Sequence, residues 1–215
     1  MDREWVFAAA ADERRQIADL VAELDEAQLA EPSLCTGWDV KTVVAHLVSV
    51  VVDGTATFMW MALRRGSMDR GINELALRRA REPASQIVAS LRGCADRRMS
   101  PPGAGPLDPL ADVLVLVHGG DIRIPLGLPF KPDAERACAA VDFLTGPWRF
   151  AFVSRGLLKG LRFEGTDVER SWGEGAEIRG PVAALMMVAG GRTALLDTLD
   201  GPGVPTLRGR INARL

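Results

Sequence analysis

The chain has 215 residues, of which 47% are hydrophobic and 25% are charged, and its formal net charge is −2. This composition is typical of a globular protein that buries its core without disulfides, and it gives no reason to expect nucleic acid as a partner. The three cysteines show no C-x-x-C spacing, which favours idle thiols in a reducing cytosol over a disulfide framework or a cysteine zinc site. The N-terminus does not resemble a signal peptide, and no apolar stretch is long enough to span a bilayer, so we expect a soluble, cytoplasmic protein without a membrane partner.

The N-terminal part of the sequence has the periodicity of amphipathic helices. Apolar residues at three- and four-residue spacing predict a first helix that ends near Ala30. A variant of the capping box predicts that a second helix begins at Thr36 and runs over residues 36–65, before a glycine. A third helix is predicted over residues 73–98, and Pro83 should kink or break it.

Two further helices are predicted before the pattern changes. Proline and glycine predict a loop over residues 100–106, and Asp108 then caps a fourth helix that carries His118 and ends near Pro125. A fifth helix is predicted over residues 133–143. Long helices with short connections are typical of a bundle.

The C-terminal part alternates apolar and charged residues in short runs, which is a strand pattern. The predicted elements are strands over residues 161–164, 168–172 and 176–179, a helix over residues 182–199, and a last strand or ordered extension over residues 204–211. The sequence therefore predicts an α+β protein, with a four-helix bundle over residues 1–155 and a smaller α/β domain over residues 156–215.

Two histidines and one acid form the candidate metal site. His46 and His118 are the only histidines, and both lie among apolar residues of predicted helices, where a single histidine is most often a satisfied core residue. Asp121 follows His118 at a spacing that shares a helix face, so the three side chains predict a divalent metal site, with zinc as the leading candidate and iron or nickel left open. Asp53 lies two turns after His46. It is a partner of the site, a distant ligand or, more commonly for an acid, a solvated or capped carboxylate near the helix end.

A pair of glycines, Gly119 and Gly120, interrupts the fourth predicted helix between these ligands. Each glycine costs about 1 kcal/mol relative to alanine inside a helix. Two explanations remain open. Either another helix or a ligand approaches closely at these glycines, or the helix itself frays or kinks there.

Three motifs in order carry a resemblance to a known family. The segments are LCTGWDVKTVVAHL over residues 34–47, VHGGDI with PLG over residues 117–127, and WGEG, IRGP and AGGR within residues 172–192. They resemble the signatures of the mycothiol-dependent maleylpyruvate isomerase family, and the similarity spans nearly the whole chain.

The resemblance implies a DinB-like four-helix bundle that holds a divalent metal, followed by a C-terminal α/β domain. It implies that His46 and His118 are metal ligands and that the metal binds the thiolate of mycothiol, the low-molecular-weight thiol of actinobacteria. One position departs from the family, because Leu114 stands where the isomerase has a glutamate ligand, and Asp121 is the candidate replacement. The isomerase also uses a C-terminal arginine, for which Arg192 and Arg210 are the candidates.

The functional expectation is a metal-dependent isomerase or thiol transferase that uses mycothiol on a small electrophilic substrate, such as an unsaturated acid. Arg192 is the candidate for holding a substrate carboxylate, and the alternative role is an internal ion pair with Asp197 or Glu177. Two other classes are compatible with this scaffold, namely a non-catalytic protein that binds a thiol or small molecule and a metal-dependent hydrolase. A homodimer is also compatible with the sequence.

Overall fold

The computed structural model describes residues 2–98, 115–147, 149 and 152–213, so the predicted loop at 100–106 and the predicted helix start at Asp108 lie outside the described residues. Within them, the α+β class is confirmed, because a bundle of helices is followed by a three-stranded sheet with its own helices. None of the helices in these ranges is long and apolar enough to cross a membrane.

The first predicted helix is two helices, α1 (Arg3–Ala22) and α2 (Glu26–Leu29). The prediction of one helix that ends near Ala30 is wrong because Asp25 starts a new turn. Its side chain accepts a hydrogen bond from the backbone N–H of Gln28, and the Gln28 side chain accepts one in return from the backbone N–H of Asp25. Such a capping box opens a helix and cannot lie in the middle of one.

The second predicted helix also divides, into α3 (Val40–Val52) and α4 (Gly54–Arg65). The predicted start at Thr36 is wrong, since Asp39 is the N-cap and accepts from the backbone N–H of Thr42 at 2.7 Å. The division falls at Gly54, whose φ of +74° lies in the left-handed region that glycine adopts without steric cost.

The next helices are α5 (Met68–Arg79), α6 (Ala84–Gly93), α7 (Val115–Arg123) and α8 (Ala134–Thr145). The predicted break at Pro83 is confirmed, because it lies between α5 and α6. The predicted outer bounds of 73–98 are wrong, since the pair begins earlier, after Ser67, and ends at Gly93.

The C-terminal sheet has β1 (Leu161–Gly165), β2 (Ser171–Gly173) and β3 (Ala176–Gly180) in the order β2-β1-β3. The central strand β1 is antiparallel to β2 and parallel to β3. Phe163 of β1 pairs with Trp172 on one side and Ile178 on the other, and these three buried side chains form the face that packs inward.

Two predictions about the last segments are wrong. The helix predicted over residues 182–199 ends early, as α9 (Val182–Ala189), because Gly190 and Gly191 follow it, and a short 3-10 turn, Leu196–Thr198, comes later. The predicted final strand is a helix, α10 (Val204–Asn212). Leu207 and Ile211 are both buried on it, and their four-residue spacing is that of a helix face.

The buried side chains form two clusters, and α7 contributes to both. The bundle cluster contains Ile17, Val44 and Leu91 of α1, α3 and α6, together with Ile122 of α7. The other cluster joins α8, the sheet and α9, and it receives Val117 of α7. Helix α7 therefore runs between the two cores. The domain boundary after residue 155 stays a prediction, although α8 packs with the sheet.

Candidate metal centre

The two histidines meet where α7 crosses α3. His46 comes from α3 and His118 from α7, and their ring centroids lie 5.1 Å apart with an interplanar angle of 76°. The indole of Trp38, just before α3, also contacts His46, with a centroid distance of 5.1 Å. Burial, and then the neighbouring His118, lowers the pKa of His46 to about 3. His46 is therefore a neutral imidazole at physiological pH, which is the form that binds metal.

The carboxylate of Asp121 is fully buried and accepts hydrogen bonds at both oxygens. Its Oδ2 accepts from His118 Nδ1 at 2.9 Å, from Cys35 Sγ at 3.1 Å and from Arg192 Nη2 at 2.6 Å. Its Oδ1 accepts from Arg192 Nε at 2.9 Å. Burial alone would raise the pKa of Asp121, but the charge of Arg192 and the His118 hydrogen bond outweigh it and hold that pKa well below its usual range.

Arg192 comes from the segment after α9 and turns back toward α7. Besides its two bonds to Asp121, it donates from Nη1 to the carbonyl of Gly190 at 2.6 Å and from Nη2 to Cys35 Sγ at 3.5 Å. The alternative ion-pair partners named from the sequence are wrong, since Asp197 pairs with Arg208 and Glu177 pairs with Arg179.

The other arginine candidate does not reach this site. Arg210 of α10 donates from Nη1 to the carbonyls of Leu157 and Lys159, at 3.0 and 2.6 Å. Its role is to tie α10 to the segment before β1. Of the two sequence candidates, the structure therefore brings only Arg192 to the histidines.

Cys35 is the member of the site that the sequence reasoning missed. The loop that carries Cys35 is hydrogen-bonded to α7, because the backbone N–H of Leu34 donates to the carbonyl of Asp121 at 3.3 Å. Burial, and then the charge of Asp121, raises the pKa of the Cys35 thiol to about 12. One signal in the sequence could have found it, since Cys35 lies inside the same motif as His46, whereas Cys94 and Cys138 are buried outside the motifs.

The paired glycines of α7 are explained by close approach. A Cβ at Gly120 would meet the sulfur of Met187 on α9 at 2.7 Å, which is closer than atoms pack. A Cβ at Gly119 would collide with the Glu13 carboxylate, which forms a buried ion pair with Arg123. Small residues between His118 and Asp121 thus let α1 and α9 pack directly on α7.

Asp53 does not belong to this group. It lies between α3 and α4 without a capping hydrogen bond, and its Oδ1 accepts from Arg79 Nη2 at 2.5 Å. Its Oδ2 is buried and has no hydrogen-bond partner among the described residues. Asp53 thus lies at the helix end, as expected, but its carboxylate is mostly shielded from solvent and pairs with Arg79 instead of capping the helix.

The donor set has the chemistry that a divalent ion requires. Cys35, His118 and Asp121 each offer one ligand atom, and these atoms all lie within 4.8 Å of one another. His46 lies outside that set of three but in ring contact with His118. Imidazole, thiolate and carboxylate are the ligands that zinc takes in proteins, so the residues present fit such an ion.

A helical bundle with facing histidines, joined to a small α/β unit that supplies an arginine, defines the class of protein. The family described as the mycothiol maleylpyruvate isomerase N-terminal domain matches residues 10–122. That match covers more than half of the chain, which therefore belongs to this family, as the sequence motifs predicted.

Two solved structures share the fold. One is the mycothiol-dependent maleylpyruvate isomerase and the other is a histidine-to-alanine mutant of it. Each aligns over 94% of this chain and 93% of its own with a TM-score of 0.59, at 14% and 13% sequence identity. No curated protein matches the sequence.

Proposed function

We propose that this chain is a metal-dependent enzyme that uses mycothiol to isomerise a small electrophilic substrate, such as an unsaturated acid, or to transfer the thiol to it. The observation that carries the proposal is the convergence of His46, His118 and Asp121 with the arginine Arg192 in a member of this family. Mycothiol is named in the family description and by the solved structures with this fold.

In this proposal, His46, His118 and Asp121 hold the ion. The ion, which we expect to be zinc, favours the ionised and nucleophilic form of a thiol bound next to it. Without an ion, burial and the charge of Asp121 raise the pKa of the Cys35 thiol to about 12.

Arg192 is proposed to hold the substrate carboxylate from its place beside Asp121. A guanidinium has five N–H donors, and Arg192 makes four hydrogen bonds among the described residues. The remaining donor is on Nη1, and the side chain is 19% exposed, so a carboxylate can approach one edge. Since most of its donors are already used, the larger task of Arg192 is to hold Asp121 in place.

A second candidate is a non-catalytic protein that binds the thiol without turnover. The observation that favours it is the closed pairing of Asp121 with Arg192, which satisfies both carboxylate oxygens internally. The two candidates differ in turnover, and the hydrolase class differs from both because it needs no thiol.

The experiment begins with protein purified without a chelator or a histidine-rich tag. Bound metal is counted, and a panel of unsaturated acids is then followed by NMR with and without mycothiol, using Asp53→Asn as the matched control. We expect about one metal per chain and product only with mycothiol, with loss of both in His118→Ala. Metal and thiol binding without product would select the binding protein, and product formed equally well without mycothiol would overturn the role of the thiol.

A further inference from the structure

The sulfur of Cys35 lies where a ligand of the metal centre would lie. Its Sγ is 3.1 Å from Asp121 Oδ2 and 3.9 Å from His118 Nδ1, and the latter two atoms are 2.9 Å apart. A tetrahedral zinc ion with typical bond lengths places its ligand atoms about 3.3–3.7 Å apart. The three observed distances bracket that range, so one ion can contact all three atoms with small side-chain shifts.

The backbone fixes the sulfur at this position. Leu34 donates from its backbone N–H to the Asp121 carbonyl, and Cys35 donates from its own backbone N–H to Ser33 Oγ at 3.1 Å. Ser33 Oγ in turn donates to the carbonyl of Trp38 at 2.8 Å. The loop between α2 and α3 is thereby closed on itself and joined to α7, and such prior ordering lowers the entropic cost of binding a ligand.

The charges of the site also favour a thiolate. Arg192 already balances the negative charge of Asp121, so a dication would enter a buried site that has no net negative charge to offset it. A thiolate at Cys35 supplies such a charge 3.5 Å from the Arg192 guanidinium, and a nearby cation stabilises a thiolate.

We propose that Cys35 is itself a ligand of this metal centre, bound through its thiolate next to His118 and Asp121. This inference rests on the proposed function, because it requires the ion. When the ion binds, the Sγ–H bond of Cys35 breaks, its proton goes to solvent, and the sulfur lone pair forms the bond to the metal. The His118 ring changes tautomer in the same step, with its proton moving from Nδ1 to Nε2 through solvent, so that the Nδ1 lone pair can bind the ion next to Asp121. A thiolate ligand makes the site prefer zinc, cadmium or cobalt over manganese or magnesium.

The first test is a spectrum of a variant with a single thiol. Cys94→Ala combined with Cys138→Ala leaves Cys35 as the only cysteine of the chain. Cobalt(II) is added to the metal-free variant after circular dichroism has shown that it is folded. We expect a near-ultraviolet thiolate-to-cobalt charge-transfer band that saturates at about one cobalt per chain. In this variant such a band can come only from Cys35.

The second test is the affinity for zinc and cobalt, measured by competition with a chelating dye. Removal of a partner outside the coordination shell typically weakens metal affinity 10–100-fold. We therefore expect Cys35→Ala to weaken the metal affinity by at least about 100-fold and to remove the charge-transfer band. The matched Cys94→Ala should keep both the affinity and the band. If the double variant does not fold, loss of the band in Cys35→Ala gives the same information.

The outcomes separate this inference from the proposed function. Cobalt bound by the wild type without a charge-transfer band, and with equal affinity in Cys35→Ala, overturns the cysteine ligand and leaves a metal site of histidine and carboxylate. Absence of metal binding by the wild type overturns both proposals. A band that survives in Cys35→Ala assigns the ligand to another cysteine and also overturns this inference.

Discussion

Two aspartate–arginine pairs in this molecule differ in what surrounds the carboxylate. In the pair of Asp53 and Arg79, one oxygen of the aspartate accepts from the arginine and the other is without a partner among the described residues. In the pair of Asp121 and Arg192, both oxygens are used, and His118 and Cys35 donate to one of them as well. The first pair fastens α5 to the junction of α3 and α4, whereas the second joins three separate segments at one point.

The difference shows that an ion pair alone does not mark a functional site. Both aspartates follow a histidine at helical spacing, and the sequence favours Asp121 as the ligand without excluding Asp53 as a partner. Buried charges are usually paired, and this requirement is met by either arrangement. Within the part of the chain that the structure describes, groups that can bind a metal, an imidazole and a thiol, converge around Asp121 and not around Asp53. The neighbours of the pair, and not the pair itself, therefore identify the site.

The largest expected effect is on the stability of Arg192→Met. This substitution leaves the fully buried Asp121 without its cation, and breaking a buried ion pair in this way costs about 3–5 kcal/mol. We expect a loss of that size in the free energy of unfolding of the metal-free protein, measured by denaturant titration. In Arg79→Met the loss should be smaller, because Asp53 is 9% exposed.

Added zinc sharpens this comparison. An ion bound next to Asp121 replaces part of the missing positive charge, so zinc should restore stability to Arg192→Met beyond the gain that it gives the wild type. Arg79→Met should show only the wild-type gain. Equal responses of the two variants would show that the ion does not contact the carboxylate of Asp121.

The second prediction compares the two carboxylates in metal binding. Asp121→Asn should weaken zinc affinity by more than about 100-fold, since it replaces a proposed ligand, while Asp53→Asn should leave the affinity unchanged. Competition with a chelating dye measures both. A loss for Asp121→Asn of only 10–100-fold would indicate that it acts by orienting His118 through Nδ1. A larger effect at Asp53 would reverse the assignment.

The parts of the site that could be predicted from sequence are those that depend on local geometry. His118 and Asp121 share a face of α7 because residues three apart do so in any helix. The bond between their side chains, at 2.9 Å, follows from that spacing. The contact between α3 and α7 is also predictable, because both histidines lie among apolar residues and both belong to the family motifs.

The remaining members come from contacts that no local rule describes. Cys35 lies 86 residues before Asp121 and Arg192 lies 71 residues after it, so their positions depend on how the loop before α3 and the turn after α9 pack. The wrong predictions of secondary structure have a related cause. In α10 the spacing of Leu207 and Ile211 is helical, but two apolar residues in so short a segment do not distinguish a helix from a strand.

A third prediction concerns the loss of folding stability in acid. This loss should involve the surroundings of Asp121 and not those of Asp53, because both histidines lie near Asp121. The pKa of His46 is lowered to about 3 in the folded protein, against about 6.5 in an unfolded chain. Below pH 6.5 the unfolded state binds a proton that the folded state does not, so stability is lost as the pH falls toward 3.

This loss amounts to about 1.4 kcal/mol for each pH unit, or about 2 kcal/mol between pH 6.5 and 5. Unfolding of metal-free wild type and of His46→Gln, measured between pH 7 and 5, should therefore give curves that converge as the pH falls. Parallel curves would mean that His46 is protonated equally easily in both states. Asp53→Asn is the control and should remain parallel to the wild type.

The smallest expected effect is that of Asp53→Asn on stability. The amide oxygen can still accept from Arg79, and the amide nitrogen takes the place of the oxygen for which the described residues offer no donor, so the main loss is the charge of the pair. Arg79 also keeps Glu82 as a partner. We expect a loss of about 1 kcal/mol in the free energy of unfolding at neutral pH. In Asp121→Asn an amide N–H must face donors at either oxygen, so its loss in the same metal-free titration should be clearly larger. Equal losses would show that the stability of a buried carboxylate in this protein depends on its charge alone and not on the donors that surround it.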